Sequence, residues 1–314
     1  MIDNVNVLVE TQDLSHDEWL RWRCKGIGGS DIAAILGLSK WMSATELWLI
    51  KTGQKKPDSE PNEAMVWGTK IEPLLRQHFT ELTGKPVVEI HAILQHPKYN
   101  FCLADLDGLT VSDTGEPAIL ELKTCSAYKQ NLWADGGIPI EYQCQIQHYL
   151  MVTGLSKAYC MVLLGGNHIE LREVDADLQI QAMLLQAEKE FWLHVQEGSK
   201  PPVDGSDAAK ELLDDLFKGG IEEEIILPES AAEYIDMYLQ ASSDAEDAKE
   251  RMQTASNHIK DLMKDYNKAR CLDHSISWKP ISSERLDSKL LKAEMPEVYA
   301  KYTRTTTSRR FQIR

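Results

Sequence analysis

Two short stretches, Ala104-Asp105-Leu106-Asp107-Gly108-Leu109 and Ala118-Ile119-Leu120-Glu121-Leu122-Lys123-Thr124, decide how this chain reads. The second sets a buried aliphatic side against a side that exposes Glu121 and Lys123. These two point the same way because side chains alternate along a strand. Gly108 permits a tight return from the preceding strand, and the two strands then bring Asp107 beside Glu121. Two carboxylates able to share a hard cation, with a lysine two residues on from one of them, are the minimum kit for hydrolysing a phosphodiester. Each fragment alone is commonplace. An Asp-Gly is usually a turn, and a Glu-x-Lys on a strand is usually an exposed ion pair of little energetic weight. Their order, their short gap and their flanks carry the reading.

Upstream, residues 15–23 form a predicted helix with Ser15 as N-cap and Glu18 in the capping-box position. The loop Gly26-Ile27-Gly28-Gly29-Ser30 leads into a helix over 31–37, with Ser30 as N-cap and Gly37 as its stop. Helices follow at 44–52 and 65–84, the second amphipathic with Glu72 at the edge of its apolar stripe. Strands are expected at 87–92, 101–107 and 118–124. Next comes a helix over 140–153 with Tyr142, Gln145, Ile146 and Tyr149 on one face. A hairpin, 158–164 with 168–174, and a helix over 177–197 complete the region. This order predicts an α/β fold, a central mixed sheet flanked by helices, over residues 1–200. Residues 201–314 are expected to be a mostly helical C-terminal region. There 228–270 reads as one long helix or a hairpin broken near Ser242-Ser243. Beyond it, 276–279 and 310–313 read as paired short strands, and 303–308 as a polar linker.

The 314 residues carry a formal net charge of −15, which is unfavourable for general phosphate binding. Much of the acid lies between Asp204 and Glu250, while Arg21, Arg23, Lys25, Lys40, Lys51, Lys55 and Lys56 make the start basic. A chain can be acidic outside and basic in one groove, so the charge excludes no DNA substrate. No run approaches a membrane span, and Met1-Ile2-Asp3-Asn4 has neither part of a secretory signal. A cytoplasmic protein is expected. The six cysteines are scattered, which argues against zinc ribbons and disulfides and for buried thiols.

Glu72, Asp107, Glu121, Lys123 and Gln145 are expected to converge at one sheet edge. Asp107 and Glu121 would bind magnesium directly, with the Leu122 carbonyl as a further oxygen. Glu72 would take a second ion or act through water. Lys123 would orient or deprotonate the attacking water, or stabilise phosphorane charge. Asp105 competes with Asp107 but is expected one shell out. His148 is read as packing.

Asp107-Gly108-Leu109 with Glu121-Leu122-Lys123 resembles the PD-(D/E)xK nuclease motif, with Leu106 where that family often has Pro. Gln145-x-x-x-Tyr149 resembles the Q-x-x-x-Y motif of its RecB-like branch. Trp19-x-x-x-Arg23-x-x-Gly26-Ile27-Gly28-Gly29-Ser30-Asp31 and Trp67-Gly68-Thr69-Lys70-Ile71-Glu72-Pro73 resemble the YqaJ-type viral recombinase nucleases, relatives of lambda exonuclease. The resemblance covers roughly residues 15–195. It implies a restriction-endonuclease-like core and a magnesium-dependent exonuclease, manganese substituting. Such an enzyme degrades the 5′-ended strand of linear double-stranded DNA and leaves a 3′ overhang. It further implies a ring-shaped homotrimer and a single-strand annealing protein as partner in phage-type recombination. By the same matching, Arg23 and Ser30 meet the 5′-terminal phosphate and Tyr149 supports the site.

Two other readings compete. One is an endonuclease or single-strand nuclease of the same fold; an iron–sulfur version lacks the cysteine spacing. The other is a catalytically silent DNA-end-binding module, which would have no need to keep Asp107, Glu121 and Lys123 together.

Overall fold

The computed structural model describes residues 2, 5–57, 62–220, 222–304 and 309–313. The chain divides into two units, Met1–Leu216 and Phe217–Arg314. The first begins with β1 (Asn6–Glu10), α1 (His16–Arg23), α2 (Asp31–Ile35), α3 (Ala44–Lys51) and α4 (Glu63–Thr83). Four strands follow: β2 (Ala92–Gln95), β3 (Leu103–Ala104), β4 (Gly108–Val111) and β5 (Pro117–Cys125). After a 3-10 segment (Ala127–Gly136) come α5 (Ile140–Thr153), β6 (Lys157–Leu164), β7 (His168–Asp175), α6 (Leu178–Glu197) and α7 (Asp207–Leu216).

The architecture is mixed α/β. A four-stranded sheet runs β4-β5-β6-β7, with β5 and β6 parallel and both outer pairs antiparallel. The parallel step needs a crossover, and α5 lies within it. A smaller antiparallel sheet runs β1-β2-β3. Helices lie on both faces of β5. Leu120 and Leu122 pack with Leu75 and Phe79 of α4, while Ile119 packs with Ile146, Tyr149 and Leu150 of α5. The side of β5 expected to face solvent is therefore covered, and Glu121 is only 1% exposed.

Local chemistry sets the element ends. Ser15 and Glu18 make the full capping box of α1. Left-handed Gly84, Gly154 and Gly198 end α4, α5 and α6, because only glycine takes that conformation without a Cβ clash. Elsewhere the sequence reading is corrected. The strand expected at 87–92 is displaced to Ala92–Gln95, where β1 supplies a partner. The strand expected over 101–107 shrinks to β3, since β3 and β4 belong to different sheets. Gly108 is not a hairpin glycine; the left-handed turn between β4 and β5 is at Gly115 (φ +83°). Asp107 sits at the step from one sheet to the next. The division between units falls after Leu216, because α7 buries Ala208, Ala209 and Leu212.

The second unit holds α8 (Ala231–Met263), β8 (Lys268–Cys271), β9 (His274–Ser277), α9 (Ser288–Glu294) and α10 (Pro296–Tyr302). α8 runs unbroken through Ser242-Ser243, so the helical-hairpin alternative falls. β9 pairs with its chain neighbour β8 across a two-residue turn, and 310–313 forms no strand. Residues 305–308 of the expected linker lie outside the described residues. All six cysteines are free; Cys102, Cys144 and Cys160 are buried, whereas Cys271 is exposed. Among the described residues no helix is long and apolar enough to cross a membrane.

Candidate active site

β5 delivers Glu121 and Lys123 to the face that α5 covers. Lys123 Nζ donates a hydrogen bond to Glu121 Oε1. Gln145 Nε2, from α5, donates to the same oxygen at 2.8 Å and to the Tyr149 hydroxyl at 3.2 Å. Glu121 Oε2 is buried and has no hydrogen-bond partner. Asp107 Oδ2 accepts the Leu122 N–H at 2.8 Å, which ties the sheet step to β5. Arg76 of α4 donates to the Asp107 carbonyl at 2.7 Å and faces Glu72 at 3.7 Å and Glu89 at 3.0 Å. Lys123 and Gln145 thus meet on Glu121, Asp107 is tied to the next residue of β5, and Arg76 links Glu72 to the Asp107 backbone.

The electrostatics of this cluster are those of a site short of positive charge. Burial, then the Asp107 charge, pushes the Glu121 carboxyl up to about 8 against the opposing pull of Lys123. Burial, then Asp107, raises Glu72 to about 7, and burial also raises Asp107. Burial pulls Lys123 down, but the Glu121 and Asp107 carboxylates outweigh it and hold the ammonium well above the usual lysine range. Lys123 therefore keeps its proton. Raised carboxyls beside an unpartnered carboxylate oxygen are where a cation would be favoured. Among the described residues no three His, Cys, Asp or Glu side chains close around an ion. The donors suit a hard cation that keeps several waters, not a closed protein cage.

The glycine-rich loop abuts this cluster. A Cβ on Gly29 would lie 2.6 Å from Tyr149 Cε1 and 2.8 Å from Gln145 Cγ, and one on Gly28 would lie 2.8 Å from Arg23 Nη2. Arg23 Nη2 donates to Ser30 Oγ at 2.7 Å, so the two expected phosphate residues do meet. The Ser30 cap does not form. Instead Asp31 accepts the Gly28 N–H at 2.9 Å and pairs with Lys51 at 2.7 Å. Trp19 lies against Arg23, 5.0 Å from its guanidinium carbon, and donates to Asp105 at 2.8 Å. Asp105 is thereby engaged with α1, while Asp107 is engaged with β5. Tyr149, touched by Gln145 and crowded by Gly29, joins the two halves of the site.

Sequence reasoning missed Arg76, Asp31 and Lys51. Arg76 had a signal, four residues after Glu72 on one helix; the Asp31–Lys51 pair had none. His148 was misjudged. Its ring nitrogens face Glu188 Oε1 at 2.9 Å and the Leu103 carbonyl at 2.8 Å. The Leu103 carbonyl can only accept, so Nε2 carries a proton, and the Glu188 carboxylate opposite Nδ1 favours a second one. Burial opposes that charge, but Glu188 prevails and raises the imidazole. His148 and Glu188 are a fully buried ion pair, not apolar packing.

The family model of the YqaJ-like viral recombinase domain matches residues 18–156. The uncharacterised protein YqaJ of Bacillus subtilis (strain 168) is 41% identical over 312 residues, 98% of this chain and 97% of that protein. Among solved structures, LHK-Exo in complex with dAMP matches with a TM-score of 0.50 and 21% identity, over 58% of this chain and 94% of that one. The alkaline exonuclease LHK-Exo from Laribacter hongkongensis, in a second structure, matches with a TM-score of 0.49 and 22% identity over the same shares. At this identity the first of these two likenesses is one of fold.

Proposed function

The chain belongs to the YqaJ-like viral recombinase family, and from that premise we propose that it is a magnesium-dependent exonuclease. It degrades the 5′-ended strand of linear duplex DNA and leaves a 3′ overhang for a single-strand annealing protein. One observation carries the reading: the buried, unpartnered Glu121 Oε2, set among Asp107, Lys123 and Gln145.

Asp107 and Glu121, with the Leu122 carbonyl, would hold the magnesium, and Glu72 would take a second ion or reach the first through water. A bound magnesium supplies polarisation of the scissile phosphoryl group and a lower pKa for the attacking water. Gln145 fixes the Glu121 carboxylate so that Oε2 stays directed away from its own hydrogen bonds. Lys123, already protonated, stabilises charge on the phosphorane and orients the nucleophile; it is not the base. Arg76 clamps the backbone at Asp107. Arg23 and Ser30 take the 5′-terminal phosphate, a group suited to a guanidinium fork. Lys51 offsets Asp31 there, so the guanidinium keeps a net positive setting. The same reading includes a homotrimeric ring around DNA and a cytoplasmic location.

Lys123→Ala tests this. Digestion of linear duplex should fall about 10²–10³-fold, the usual weight of a lost transition-state charge contact, while binding to DNA ends survives. Unchanged cutting by this variant would overturn the site.

A further inference from the structure

α8 is 33 residues long, yet it buries only Met263. At 1.5 Å per residue it spans about 50 Å, and helices in proteins draw most of their stability from packing an apolar face. Its N-cap residue Ser230 makes no side-chain cap bond. Periodic helices of this length without caps occur in coiled coils, membrane spans and helical repeats, and α8 is too polar to cross a membrane.

The sequence supplies the seam. From Ala231 to Leu262 an apolar or small residue recurs in strictly alternating steps of three and four: 231, 234, 238, 241, 245, 248, 252, 255, 259 and 262. That is a 3.5-residue period, which imposes a left-handed supercoil. The large members stand in solvent: Tyr234 is 68% exposed, Met252 73% and Leu262 81%. Tyr238, 46% exposed, is touched edge-on by Phe311.

We infer that α8 pairs with α8 of a second copy of this chain as an antiparallel two-stranded coil. Size matching fixes the partner and the direction. Laid antiparallel about the point between Glu246 and Asp247, the seam sets Tyr238 against the partner's Ala255 and Met252 against the partner's Ala241. Ala231 then meets the partner's Leu262, Tyr234 meets the partner's Ile259, and Ala245 meets the partner's Ala248 at the centre. Three of these five layers set a large residue on a small one, and an in-register parallel pair has none that does. In a parallel pair, each would meet its own kind, Tyr238 on Tyr238 and Ala245 on Ala245, leaving alternate crowding and gaps. Charge agrees with the antiparallel register: flanking the seam, Asp244 faces the partner's Arg251, and by symmetry the partner's Asp244 faces Arg251. Such flanking pairs set orientation and partner choice. The interface is isologous, as a two-fold homodimer contact must be, and it is independent of the nuclease reading.

The test is the mass of the full chain by light scattering, with helix content followed by circular dichroism. The wild type should show an even number of copies, six where the proposed trimeric ring forms as well. Ala245→Asp with Ala248→Asp should halve that number while digestion of a short duplex is unchanged. Because two acids in the seam could unwind α8, a gentler pair accompanies them. Asp244→Arg alone should promote dissociation, and adding Arg251→Asp should restore the wild-type mass. Direction is read by cross-linking in a Cys271→Ser background. Tyr238→Cys mixed with Ala255→Cys should oxidise to a joined pair, whereas Tyr238→Cys alone should not. An odd wild-type copy number, or masses unmoved by all these changes, would overturn the pairing and leave the face to a different protein; self-cross-linking of Tyr238→Cys would overturn the antiparallel register.

Discussion

Glu121 is the residue on which the account turns. Its carboxyl is raised to about 8 by burial and by Asp107, against an ordinary value near 4.5 in the unfolded chain. Between those two values the folded protein binds a proton that the unfolded chain has lost. Stability of the metal-free protein must therefore fall as pH rises through that window. Magnesium should reverse the loss near pH 8 by replacing the proton. Melting temperatures of wild type and Glu121→Gln, with magnesium or chelator, check this. Glu121→Gln should lose the upper part of the pH slope, keep only what Glu72 and Asp107 supply, and lose most of the magnesium response. Gly29→Ala tests the junction of the two half-sites. Its Cβ would press into Tyr149 and Gln145, so stability should drop about 1–3 kcal/mol, the usual cost of overpacking. Duplex digestion should drop with it, which denaturant titration and rate measurements together would register.

At the scale of elements, β5 and α5 are the frame of the site. β5 was legible because its period of two names its faces, and α5 because Gln145 and Tyr149 lie one turn apart. What the sequence hid was context. Nothing local says that β3 and β4 enter different sheets, or that α5 covers the Glu121 face. The long-range pairs, Asp31 with Lys51 and Trp19 with Asp105, have no short-range trace. Ser242-Ser243 misled in the other direction, since serine within a helix costs only about 0.5 kcal/mol relative to alanine. The buried His148–Glu188 pair locks α5 to α6, and Cys102 donates a further bond to Glu188 at 3.0 Å. Glu188→Ala leaves a buried imidazolium without its counter-charge and should cost about 3–5 kcal/mol. Chemical denaturation would measure it, and a loss below about 1 kcal/mol, the range of an exposed pair, would refute the assignment of charge.

Taken whole, the molecule carries a net charge of −15, so on the proposed reading attraction to DNA comes from local groups such as Arg23. Raising salt should weaken end binding steeply, because each phosphate contact releases counterions; binding isotherms at several salt concentrations give the slope. Arg23→Ala should flatten that slope by about one ion, a phosphate contact's usual share. The family match agrees with the motifs that carried the resemblance. The decisive measurement uses a linear duplex with one 5′ end phosphorylated and its two strands labelled differently, incubated with magnesium or with chelator. The account predicts magnesium-dependent loss of the 5′-phosphorylated strand, an intact complement, and a loss slowed about 10²–10³-fold with Lys123→Ala. Cutting of closed circles, loss of the complementary strand, or digestion in the presence of chelator would contradict it.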